Sequence, residues 1–201
     1  MDVAVLGQVW RAWAERVAGL SDGQWDARTR LAGWTVLDLV AHMAPDERVV
    51  EFLCAPQVSD PAVTSGAEML RRFNAPGGTA HTMADELAEM ARRAAKVGPR
   101  ALVRSFAENS PIILDVLQAA PSDSGLPHPS FGSVSIAAVA ETAVVEGTVH
   151  LLDLIDAVGG APPPADALAM ATRILSAVPA PAAFIEAVTG RDGRGVLPIM
   201  R

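Results

Sequence analysis

Apolar residues recur at three- and four-residue intervals along most of the chain, and no run alternates convincingly enough for a sheet. The first period, 3–19, carries Val5, Val9, Ala12, Trp13 and Val17 on one face and stops at a Ser21-Asp22-Gly23 turn. An irregular connector, 25–34, leads to a second helix over about 35–54, opened by a capping-box-like Thr35/Asp38 pair and kinked at Pro45. Proline and glycine punctuate 55–79, which reads as a crossover with one short helix at 65–73. A third long helix is expected at 80–97. Two shorter ones follow within 100–120, the second started by Ser110 and Pro111 as cap and first turn. Residues 121–132 read as loop, and Ser135 opens the most apolar helix, 135–158, closed by Gly159-Gly160. Shorter helices are expected at 165–177 and 181–188. The pattern predicts an all-α fold, a four-helix bundle with long crossover connections and extra short C-terminal helices. Its units are a bundle over 1–160 and a helical extension, 161–201, packed on the same domain.

Composition narrows the function classes. Half of the 201 residues are apolar and 19% charged, enough for a sizeable core. The net charge of −7 argues against a nucleic-acid surface and a polybasic membrane anchor. The apolar stretch 133–160 contains Glu141, Glu146, His150, Asp153 and Asp156, which a lipid-spanning helix would not tolerate. The start, Met1-Asp2-Val3-Ala4, lacks the positive charge of a signal peptide, and Cys54 is the single cysteine, so a reducing, cytoplasmic location is expected. Sixteen basic residues include one lysine, Lys96; this arginine bias, with abundant alanine, suggests a GC-rich bacterial genome. Four histidines are present: His42, His81, His128 and His150.

Two of them carry the chemistry. Glu146 and His150 lie four residues apart on the 135–158 helix, which brings their Cβ atoms to about 5–6 Å on one face. Both can then reach one metal ion at about 2.0–2.2 Å. The same spacing also suits a plain ion pair, but ionisable groups on so apolar a helix need partners, and a metal is one way to supply them. Asp153, three residues further on, is placed to touch the cluster from behind. A third ligand must come from another helix, and His42, flanked by Leu39 and Met43 of the core-facing stripe, is the candidate. A His2Glu set leaves a coordination position open, as catalytic zinc sites do.

The run Trp25-Asp26-x-x-Thr29-x-Leu31-x-Gly33-Trp34-Thr35-Val36-x-Asp38-Leu39-Val40-Ala41-His42 resembles the N-terminal signature of the mycothiol-dependent maleylpyruvate isomerase family, part of the wider DinB-like group of metal-binding four-helix bundles. Glu146-x-x-x-His150-x-x-Asp153, ending at Gly159, resembles its second motif. The resemblance covers about 3–160 and implies a divalent metal, usually zinc, on His42, Glu146 and His150. Proline is common before the family's Thr and Gly-Trp; here Arg28 and Ala32 stand in those slots. The isomerase that names the family has an additional C-terminal domain that helps form its active site, whereas only 161–201 follow the bundle here, so the expectation is the N-terminal domain type.

The resemblance further implies a thiol S-transferase or thiol-assisted isomerase. Mycothiol, the small thiol of actinobacteria, is its cosubstrate and a small electrophilic metabolite its partner. Metal coordination deprotonates a thiol whose free pKa is about 8.5. Asp153 then orients His150 or accepts the thiol proton. Two other readings stay open: the same metal bundle working without thiol as an isomerase, cyclase or hydrolase, and a non-catalytic metal- or ligand-binding bundle. The remaining signals read as structural. Cys54 is expected as a small core residue, His128 as a solvated loop histidine, and His81 as an ordinary helix-start residue. Trp10, Trp13, Trp25 and Trp34 are expected to pack the bundle, and Arg71-Arg72 and Arg92-Arg93 to be solvated faces. Arg191 and Arg194 belong to a glycine-rich tail that would be solvated or hold an anionic group. A monomer or a homodimer fits this surface.

Overall fold

The computed structural model describes residues 3–121, 123–191 and 196–199. Its elements are α1 (Val3–Ala18), α2 (Asp22–Trp25), α3 (Val36–Met43), α4 (Glu47–Leu53), α5 (Gly66–Asn74), α6 (Thr79–Thr82) and α7 (Ala84–Ala95). There follow α8 (Pro99–Ala119), β1 (Gly125–His128), β2 (Gly132–Ser135), α9 (Ile136–Val158), α10 (Ala165–Ser176) and α11 (Pro181–Val188). The architecture is a helix bundle with one short hairpin. In it α1 packs against α8 and α9, and α3 against α7 and α9. α10 lies on α9, and its Ala167, Met170, Ala171 and Ile174 join the same apolar core as the bundle helices.

The centre of that core is an aromatic stack. Trp13 lies flat on Phe106 with centroids 5.6 Å apart, and its indole N–H donates to the Gly147 carbonyl at 2.9 Å. At Gly147 α1 and α9 are in close contact, since a Cβ there would stand 2.6 Å from Val9 Cγ1. α9 begins where the sequence predicts, with the Ser135 hydroxyl accepting from the Ala138 N–H at 3.1 Å, and ends at Gly159 with φ +77°. Its Glu141 carboxylate accepts the first N–H of α5, from Gly66, at 2.7 Å.

Three boundaries differ from the sequence expectation. Pro45 breaks the second helix outright into α3 and α4, and its freed carbonyl is taken by the Asn109 amide at 2.9 Å and by the Ser105 hydroxyl, both on α8. The third long helix is interrupted at Met83, between α6 and α7. Pro111, in contrast, starts nothing: α8 runs through it. Leu102, Phe106, Ser110, Ile113 and Leu117 form one buried stripe across the proline, whose fixed φ suits a helix and removes only one hydrogen bond.

The loop expected at 121–132 holds a hairpin. Leu126 and Val134 face each other across it and are both fully buried. Crossover residues Val58 and Val63 bridge to Gly125 and Val134. Strands of four residues containing Pro127 are too short to show a period of two.

Among the described residues no single helix is long and apolar enough to cross a membrane.

Candidate metal centre

The segment 26–35 and the start of α3 determine where His42 stands. Thr35 caps α3 reciprocally: its hydroxyl accepts from the Asp38 N–H at 3.3 Å, and the Asp38 carboxylate accepts the Thr35 N–H at 2.9 Å. From that start Val36, Leu39 and Val40 turn into the core. His42 then falls at the edge of the stripe in the last turn, where part of its side chain is exposed to solvent. The edge of the Trp34 indole meets the imidazole at 5.3 Å and 88°. Among the described residues neither ring nitrogen of His42 has a hydrogen-bond partner.

α9 supplies the rest. The ring of His150 lies 5.3 Å from that of His42 at 87°, and its Nε2 is 3.4 Å from the Glu146 carboxylate. One ligand atom each from His42, Glu146 and His150 all lie within 4.8 Å of one another. Asp153 sits behind His150: Oδ2 is 2.8 Å from His150 Nδ1, while Oδ1 accepts from Arg30 Nε at 2.6 Å. Its side chain is only 4% exposed.

The electrostatics divide the two histidines. Desolvation, helped by the nearby His150 and opposed by Glu146, pushes His42 down to about 4, so it stands neutral, with the lone pair of one ring nitrogen free to bind a metal. Burial also works against a charged His150, but its hydrogen bonds to Asp153 and Glu146 and their negative charges prevail and raise it to about 9. For Asp153, burial is outweighed by the bonds to His150 and Arg30, which hold the carboxyl below its ordinary range. A metal at this cluster competes with the His150 proton for the same nitrogen.

Two imidazoles and one carboxylate so gathered are a borderline-soft donor set of the kind that holds divalent zinc. His150 has the carboxylate behind its second nitrogen that metal-bound histidines characteristically have. Arg30 and Trp34 were not singled out as site residues by the sequence reading, since neither is a ligand type. Their closeness in the chain to the Thr35 cap and to His42 is the signal that could have found them.

The other histidines lie elsewhere. His81 is in exposed α6, with Nε2 3.2 Å from the Asn74 carbonyl. His128 is no solvated loop residue: it stacks on Phe131 at 4.7 Å and meets Phe52 and Phe73 edge-on, and burial lowers its pKa. Cys54 is exposed, because it caps the end of α4 where the chain turns outward. Trp10, Trp13 and Trp25 are buried, while Trp34 is half-buried at the site. Arg71 is not merely solvated, since it donates to the Val178 and Ala177 carbonyls at 2.7 and 2.8 Å; Arg72 pairs with Glu68, and Arg92 with Glu89 on an exposed face. Arg191 is exposed, and Arg194 lies outside the described residues. Two surface clefts, of about 570 and 820 Å³, are lined by Arg16 and the end of α9 and by Asp60 and Asp123; neither includes the three clustered ligands.

Fold and site together define a helix bundle with a candidate His2Glu metal centre at one edge of its core. The family model of the mycothiol maleylpyruvate isomerase N-terminal domain matches residues 6–155, and the chain belongs to that family. Two crystal structures share the fold. The mycothiol-dependent maleylpyruvate isomerase is 14% identical with a TM-score of 0.57, and a histidine-to-alanine mutant of it is 12% identical with a TM-score of 0.56. In both comparisons 87% of this chain is covered but 66% of the other, so the chain spans about two thirds of those proteins. No curated protein matches the sequence.

Proposed function

We propose that the protein is a zinc-dependent thiol S-transferase or thiol-assisted isomerase that uses mycothiol and a small electrophilic metabolite, and that it works in the cytoplasm. The observation that carries this reading is the cluster of His42, Glu146 and His150, whose ligand atoms all lie within 4.8 Å of one another in a chain of this family. A divalent ion held there would supply the charge that keeps a thiol as thiolate near neutral pH, against an ordinary pKa of about 8.5.

The chain's own residues have distinct parts. His42 comes neutral and unbonded on one helix; Glu146 and His150 come together from another. Asp153 orients His150: with one oxygen on Nδ1 and the other on Arg30, it holds the ring so that Nε2 faces Glu146 and is the nitrogen left for a metal. Both oxygens being engaged argues for orientation over proton acceptance. The chain's one thiol, Cys54, has no place in the cluster, in keeping with a thiol brought from outside. For an isomerisation, the thiolate sulfur bonds to one carbon of an activated double bond and the resulting single bond rotates. Loss of the thiolate then restores the double bond in the other geometry. We read 161–201 as an extension of the same domain, since α10 shares the bundle core.

Elemental analysis of the purified protein tests the metal, and mycothiol offered with a panel of electrophiles tests the thiol. Expected are about one zinc per chain, its loss in His42→Ala and in His150→Ala, and conjugation or cis–trans isomerisation that chelators abolish. Wild type that takes up no stoichiometric divalent metal overturns the reading. Metal-loaded protein that, with mycothiol present, neither conjugates nor isomerises any electrophile leaves the metal and removes mycothiol.

A further inference from the structure

Three ligands and Asp153 leave one part of the site without a role, the segment 26–35. It reaches both histidines. Trp34 stands edge-on to His42 at 5.3 Å, and Arg30 Nε is 2.6 Å from the Asp153 oxygen that does not face His150. The segment is itself closed. Arg28 bridges Thr35, the Thr29 N–H donates to the Trp34 carbonyl at 3.0 Å, and the Trp34 N–H donates to the Leu31 carbonyl at 3.1 Å. The Thr29 hydroxyl adds a second bond to the Trp34 carbonyl at 3.1 Å. Arg30 is therefore presented from a turn with few alternatives.

A carboxylate with a single partner pivots about its Cβ–Cγ bond, and the histidine it faces pivots with it. A donor on the second oxygen removes that freedom, and a planar guanidinium does so with a definite direction. Asp153 is 4% exposed and Arg30 51%, so the arginine compensates a nearly buried charge while its far end stays in water. We infer that Arg30 is a positioning residue of the metal centre. It acts through Asp153 to hold the His150 ring, and with Trp34 it makes segment 26–35 the clamp that presents both histidines. The inference rests on the metal reading above.

Zinc affinity of the full chain, measured by competition with a chromogenic chelator, tests it, with the visible bands of the Co2+-substituted protein as a readout of ligand geometry. Arg30→Met is expected to weaken zinc about 10- to 100-fold and to shift the Co2+ bands, and Arg30→Lys to recover only part of the loss. Because the arginine acts through the aspartate, Arg30→Met combined with Asp153→Asn binds zinc no more weakly than Asp153→Asn alone. Arg30→Met that melts lower but binds zinc like wild type, or losses that multiply in the double variant, overturn the inference and leave the metal centre standing. Wild type without measurable zinc affinity overturns both. Should Arg30→Met fail to fold, the same comparison is made with Arg30→Lys and Arg30→Gln, and wild-type affinity and spectra in both overturn the inference.

Discussion

Gly147 stands next to a proposed ligand and performs a different task. Its missing side chain lets α1 lie against α9, with Val9 Cγ1 only 2.6 Å from where a Cβ would be. Alanine in a helix interior is ordinarily about 1 kcal/mol better than glycine, so the sign of Gly147→Ala is informative. Overpacking at this contact costs about 1–3 kcal/mol and should win, giving a net loss in urea unfolding. A more stable variant would contradict the close approach. At this scale the sequence was informative about ligand types: a histidine and a glutamate four apart on an apolar helix announce themselves. It was silent about Arg30 and Trp34, whose importance lies in what they touch 123 and 8 residues away.

At the scale of elements, local signals were read well and non-local ones poorly. The Thr35/Asp38 box and the Ser135 cap act within three residues, and both sit where the pattern put them. Thr35→Ala should cost about 1 kcal/mol in thermal or urea unfolding and loosen the start of α3, while Thr35→Ser should be nearly neutral. The two prolines behaved oppositely, because what decides between a break and an uninterrupted helix is the neighbouring helix. Pro45 is accepted as a break since Ser105 and Asn109 receive its carbonyl, and Pro111 is carried through by a stripe buried on both sides. The hairpin was hidden for the same reason, its strands being completed by Val58 and Val63 from the crossover. It also carries a pH dependence. The folded state keeps His128 below its ordinary pKa through burial, and Nδ1 accepts the Ser130 N–H at 3.2 Å. As pH falls through about 6.5 the unfolded chain takes up the proton first, so stability present above that pH is lost on acidification. Comparing melting temperatures of wild type and His128→Phe between neutral and mildly acidic pH should show the extra loss in wild type alone; parallel curves would refute it.

For the whole molecule, the proposed metal is a cross-link between α3 and α9, helices drawn from opposite ends of the matched region. A ligand that binds only the folded state adds stability that grows with its concentration, about 4 kcal/mol at a thousand times its Kd. Zinc should therefore raise the melting temperature of the wild type and leave His42→Ala unmoved; an equal rise in both would place the ion elsewhere. The sequence by itself determined the helical class, the starts of α3 and α9, and the short list of groups able to bind a metal. Each of these follows from contacts within one or two turns. Only the tertiary structure decided that His42 meets His150, that Asp153 is shared between His150 and Arg30, and that His128 is enclosed by phenylalanines. Those outcomes depend on how helices pack and where crossovers return, and packing is set by the summed burial of many side chains, which no local spacing records.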